Sequence, residues 1–89
     1  MIYVLSGRAF SLSGYSLVRV ATMSPEEFFQ LLGEGIHDIA ATPEAAAVIK
    51  ETFGVEIPRV FQGQPPVSQG DKVILLGHEG QVVDITIIW

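Results

Sequence analysis

Two short stretches share one helix-start pattern, and together they set the fold class. Ser24-Pro25-Glu26-Glu27 offers a serine as N-cap, a proline at the first helical position and a glutamate three residues after the serine. The serine oxygen accepts from the third amide while the glutamate reaches back to the amide of the cap. Proline is tolerated there because its missing N–H has no intrahelical partner anyway. Thr42-Pro43-Glu44 repeats the start with threonine as the cap. The spacing predicts a first helix with Phe28, Leu31 and Leu32 on its apolar face, ending at Gly33 and Gly35. The second helix places Ala45, Val48, Ile49 and Thr52 on one stripe and stops at Gly54. Its three successive alanines, Ala45 to Ala47, predict close packing against a sheet.

The other apolar runs are short and rich in β-branched residues, which suits strands. Ile2, Tyr3, Val4 and Leu5 read as a buried strand. Residues 16–21 alternate, with Leu17, Arg19 and Ala21 on one side and Val18 and Val20 on the other. They read as a half-solvated strand in a hairpin with the first. Residues 36–40 form a short strand or extended link, and residues 55–58 lead into a Gly/Pro/Gln-rich loop over 62–69. The run at 72–76 and the run at 82–89 form a second hairpin through Gly77-His78-Glu79-Gly80. Trp89 is large and apolar and reads as packed, with a dimer contact as one place for it. The expected architecture is α+β: a single domain over residues 1–89, with a mixed β-sheet of about five strands flanked by two helices. A chain of 89 residues has room for one core.

Composition removes several classes of function. The chain has no cysteine, so disulfides, zinc–thiolate sites and cysteine nucleophiles are excluded. Its net charge is −5, with 5 basic residues, which argues against duplex nucleic acid as a partner. No stretch approaches the roughly 18 apolar residues of a membrane helix. The opening residues lack the basic and long apolar regions of a secretory leader. A cytoplasmic location and no membrane partner are the expectations. Neither a metal nor any other cofactor is expected: two histidines without cysteine make a poor metal set.

Few residues stand out chemically. His37 and His78 read as solvated link and turn residues, because histidine needs specific neighbours to become a base. Thr42 is more suggestive: a helix N-terminus offers free N–H groups and partial positive charge, which suit a phosphate. The plainer role for Thr42 is that of a cap. Arg8 and Arg59 are two of only three arginines and sit beside loop-forming glycine or proline, where a guanidinium can grip phosphate oxygens. Arg19 reads as a solvent-facing strand residue.

Several stretches taken in order resemble the viral ring nucleases, the type III anti-CRISPR family of small archaeal-virus proteins. Tyr3-Val4-Leu5-Ser6 and Ala9-Phe10-Ser11-Leu12 resemble that family's first strand and following loop. Residues 38–58 align with its central segment without gaps, with identities at Ala46, Gly54, Val55 and Pro58. Arg59-Val60, Gly70-Asp71-Lys72 and residues 84–89 are similar to its later motifs. The resemblance implies a homodimer that binds cyclic tetra-adenylate, a second messenger of antiviral defence, across its two-fold axis. It also implies cleavage without metal, in which a ribose 2′-hydroxyl attacks the adjacent phosphorus and a histidine at the second helix start acts as general acid.

The sequence departs from that pattern at the decisive position. The family's histidine aligns with Thr42, and the glycine before it with Ala41. A threonine hydroxyl does not titrate near neutral pH, so it cannot serve as the acid. It can still cap the helix and hydrogen-bond a phosphate. The expectation is a viral anti-defence protein that binds and sequesters a cyclic oligonucleotide without efficient cleavage. Its ligand-binding residues would be Ser6, Arg8, Ser11, Thr42 and Arg59, and none of them is catalytic. Two alternatives stay open: an active, metal-independent ring nuclease with His37 or His78 as replacement acid, and a protein-binding module that inhibits a host factor.

Overall fold

The computed structural model describes residues 1–6, 17–63, 67–77 and 82–88. Six strands form one mixed sheet: β1 (Ile2–Ser6), β2 (Val18–Met23), β3 (Ile39–Ala41), β4 (Arg59–Val60), β5 (Lys72–Leu76) and β6 (Val82–Ile87), in the order β2-β6-β5-β1-β3-β4. Two helices, α1 (Pro25–Gly35) and α2 (Pro43–Phe53), complete the α+β domain. The sequence suggested about five strands, and the sixth is the two-residue β4, which directly follows Pro58.

The first strand is not in a hairpin with the second. β1 lies in the middle of the sheet, parallel to β5 on one side and to β3 on the other. Tyr3, Val4 and Leu5 are all buried, so both faces of β1 are covered, and a strand buried on both faces belongs inside a parallel run. β2 instead pairs antiparallel with β6, from Val18 opposite Ile87 to Met23 opposite Val82. Eleven residues, 7–17, separate β1 from β2, well beyond the 2–5 residues of ordinary hairpin loops. The expected hairpin of β5 and β6 is present as an antiparallel pair.

Strand alternation sorts the core into two layers. Ile2, Val4, Ile39, Ala41, Ile74, Leu76 and Val82 point to the face where Phe28 and Leu32 of α1 and Ala45 and Ile49 of α2 pack. Tyr3, Leu5, Ala40, Val73, Ile85 and Ile87 point to the other face, joined by Phe61 and Val67. The phenyl ring of Phe61 meets Tyr3 edge-on, with 5.5 Å between centroids. The stripe of α2 is narrower than its sequence pattern: Ala45 and Ile49 are buried, whereas Ala47, Val48 and Thr52 are exposed. With only two buried residues, α2 needs small side chains at its contact to lie close over β1.

Both helix starts form as the sequence predicts. Glu27 N–H donates to Ser24 Oγ at 3.1 Å, and Glu27 Oε1 accepts from Ser24 N–H at 3.5 Å, a complete capping box. Gly54 ends α2 in the left-handed region at φ 71°, where a side chain would be strained, and donates to Lys50 O at 3.0 Å. The segment read as a short strand or extended link at 36–40 divides into a 3-10 turn, Ile36–Asp38, and the short β3.

Candidate functional site

The carboxyl ends of parallel strands are where open α/β sheets usually receive ligands, because helix starts converge there. In this chain β3 runs straight into α2 through Thr42, and β4 returns parallel beside β3. Thr42 N–H donates to Val4 O at 3.1 Å, and Phe61 N–H donates to Ala41 O at 3.0 Å. These bonds draw the start of α2 and the residues after β4 to one end of the sheet. Between them lies an open hollow of about 260 Å³ lined by Thr42, Pro43, Glu44, Gln62 and Gly63.

Thr42 is the one buried polar residue among those described, at 8% exposure. Its Oγ1 accepts from Ala45 N–H at 3.3 Å, and its carbonyl accepts from Ala46 N–H at 2.8 Å. Pro43 has no N–H to offer. The first turn is therefore largely satisfied from within, and Glu44 N–H is its one donor without a partner among the described residues. The Thr42 hydroxyl still has its own proton to donate, since so far it only accepts. The Gln62 side chain adds an amide that can both donate and accept. Glu44 is the one charged residue in the lining. Its carboxylate accepts hydrogen bonds and repels phosphate, so the hollow is polar rather than cationic.

The five residues expected at the site fare differently. Thr42 lines the hollow. Ser6 ends β1 two residues past Val4, which is paired with Ala41, so it lies at the same end of the sheet without lining the hollow. Arg59 is exposed on β4 opposite Ala40, three residues before Gln62 and about 10 Å back along the strand. Its side chain projects from the face away from the helices. Arg8 and Ser11 lie outside the described residues, as does His78. His37 is exposed in the turn before β3, whereas the hollow opens after β3. The three-residue strand, about 10 Å long, keeps its imidazole away from the hollow of the same protomer.

Gln62, Gly63 and Glu44 were not singled out by sequence reasoning. The first two fell in a loop-forming stretch, where composition alone assigns no role. The usable signal was topological: a strand–helix–strand unit returns the residues after its second strand to the start of its helix. The sequence matches neither models of known protein families nor curated proteins. No helix among the described residues is long and apolar enough to cross a membrane, and no group of three or more potential metal ligands occurs among them.

Proposed function

We propose that the protein binds a cyclic oligonucleotide, seating one nucleotide unit in the hollow at the start of α2, and holds it without efficient cleavage. The observation that carries this reading is that Thr42 and Gln62 both line one hollow at the carboxyl end of the parallel strands. Thr42 O–H, Gln62 and Glu44 N–H can donate to one phosphate. The Glu44 carboxylate can accept from ribose hydroxyls or an exocyclic amine. At about 260 Å³ the hollow lies just below the roughly 300–1,000 Å³ of drug-sized pockets, which suits one nucleotide and not a whole ring.

Sequestration is supported by the residue that stands at the start of α2. Cleavage by a neighbouring 2′-hydroxyl needs a proton for the departing oxygen, and the Thr42 hydroxyl that lines the hollow there is no general acid near neutral pH. Losing a general acid removes about 10²–10⁴ of rate. In this reading the working unit is a homodimer in a host cytoplasm, and its effect is to lower the free concentration of a defence signal.

The test is calorimetric titration with cyclic tetra-adenylate, with reaction products followed separately by chromatography. Gln62→Ala is expected to weaken binding about tenfold, the worth of a hydrogen bond to a charged group, while leaving the melting temperature unchanged. Glu44→Gln is expected to tighten it by removing the repelling charge. Rapid turnover would reject sequestration. Absence of binding to any cyclic oligoadenylate would reject the ligand class.

A further inference from the structure

The two edges of the sheet are unequal. Among the described residues β4 closes one edge with only two residues, whereas β2 forms the other with six consecutive residues in regular register and no bulge. An edge strand exposes a row of backbone groups that template another strand, and proteins usually blunt it with lysine, proline, a bulge or short length. The sequence of β2, Val18-Arg19-Val20-Ala21-Thr22-Met23, has no lysine, proline or bulge, and Arg19 is its one charged residue. Leu17 and Val20 are 53% and 57% exposed there.

Hydrogen-bond parity identifies the backbone groups of β2 that no described residue pairs. Ile88 N–H donates to Leu17 O at 3.1 Å, so Leu17 turns its backbone toward β6. Ile87, opposite Val18, spends its backbone on the β5 side, with its N–H donating to Asp71 O and its O accepting from Gly70 N–H. In an antiparallel ladder alternate residues bond to alternate sides. Val18, Val20 and Thr22 therefore point their N–H and C=O outward. These three are symmetric about Val20.

From this we infer that β2 pairs antiparallel with β2 of a second copy, with Val20 on the two-fold axis, to give a continuous twelve-stranded sheet. Val20 exchanges both backbone bonds with Val20 of the second copy, and Val18 does so with Thr22. On the helix-bearing face Arg19 then lies opposite Ala21 of the other copy. Ala21 is itself opposite Asp84 on β6. The row reads Asp84, Ala21, then Arg19 of the second copy, two strand spacings or about 10 Å across. An arginine can reach over the methyl group of Ala21 to that carboxylate.

Asp84 is under-partnered within one protomer. Its Oδ2 lies 3.5 Å from Lys72 Nζ, and its buried Oδ1 has no hydrogen-bond partner among the described residues. A buried acceptor left unpaired is destabilising. The carboxylate keeps 15% of its side-chain surface exposed, so a cation from the second copy adds charge beside it, and this charge match selects a second copy over an unrelated strand. The inference does not depend on the proposed ligand. It does separate the two hollows: each lies beyond β6, β5 and β1, so they stand roughly 40 Å apart across the sheet, too far to share one small ring.

The closing experiment uses the whole chain, which has no cysteine of its own. Light scattering behind gel filtration is expected to show a dimer that dissociates on dilution, since one strand pair buries less than the roughly 1,200–2,000 Å² of stable interfaces. Val20→Cys is expected to give a covalent dimer on oxidation, because hydrogen-bonded partners place their Cα atoms about 5.5 Å apart, inside the disulfide range. Ala21→Cys, two residues out of register with itself, is expected to give none. Val20→Lys, at an exposed position that leaves the fold intact by circular dichroism, is expected to yield monomer. Arg19→Ala is expected to raise the dimer dissociation constant at least about tenfold. A protein that stays monomeric up to about 1 mM, at the weak end of the affinity scale, overturns the inference. So does a dimer indifferent to Val20→Lys, or one crosslinked as readily through Ala21→Cys.

Discussion

The two helices begin with nearly the same four residues and end up with different chemistry around them. At α1 the third helical residue is Glu27, which reaches back and closes the cap, and the first turn carries two acids, Glu26 and Glu27. At α2 the third residue is Ala45, so nothing reaches back, and the amide of Thr42 is used by β1 instead. One start is sealed by its own side chains and sits in the open. The other is sealed by the sheet, with its cap buried and a polar hollow beside it. A single residue, glutamate or alanine at the third position, separates a helix start that finishes itself from one that leans on its surroundings.

The largest test of this contrast removes the anchors rather than the ends. Phe28 in α1 and Ile49 in α2 are both fully buried. Phe28→Ala is expected to cost about 3–5 kcal/mol and Ile49→Ala about 2–5 kcal/mol in denaturant unfolding. Similar losses mean both helices are comparably docked and differ only at their starts. A far smaller loss at Ile49 would mean that α2 is held mainly through Thr42.

Next come the caps. Ser24→Ala and Thr42→Ala are each expected to lose about 0.5–2 kcal/mol of stability, but only Thr42→Ala should also weaken ligand binding in the titration. Glu27→Ala gives α1 the alanine that α2 carries, and it should cost less than Ser24→Ala because only one half of the box is lost. Equal effects of the two cap variants on binding would erase the distinction drawn between the helix starts.

The smallest effect lies at the far end of α2. Lys50 Nζ and Glu56 Oε1 meet at 3.0 Å with both side chains largely exposed. The Lys50 hydrogen bond, and then its charge, hold the Glu56 carboxyl below its usual range. A lowered folded-state value means the pair stabilises above the ordinary carboxylate range and stops doing so as pH falls through the folded value. Solvent screens so exposed a pair. Glu56→Gln should therefore melt indistinguishably from wild type at neutral pH, and a clear drop in melting temperature would show the pair to be more than a surface contact.

Local rules carried the sequence reading a long way. The caps at Ser24 and Thr42, the stop at Gly54 and the strand at Lys72–Leu76 all follow from chemistry within a few residues. What local rules could not supply was partnership. Alternation showed that β2 has two unlike faces but not that its neighbour is β6, because pairing depends on chain closure between residues 59 to 69 apart in sequence. Likewise Thr42 was legible as a cap, whereas Gln62 and Gly63 became its neighbours only through the return of β4. Arg59 was noticed for its loop context, yet strand parity turned it to the face away from the helices.

The central place of β1 has a consequence for how the molecule comes into being. Its neighbours are Ile39–Ala41 and Lys72–Leu76, so β1, made before the other five strands, waits for one flank until residue 41 and for the other until residue 76. Such distant pairing places folding toward the slower, millisecond-to-second end of the range for small domains. A nascent chain stalled before residue 72 holds this buried, apolar strand with one side bare, an invitation to stick to whatever strand passes. Synthesis through residue 76, rather than any single contact, is the event that covers both sides of this strand.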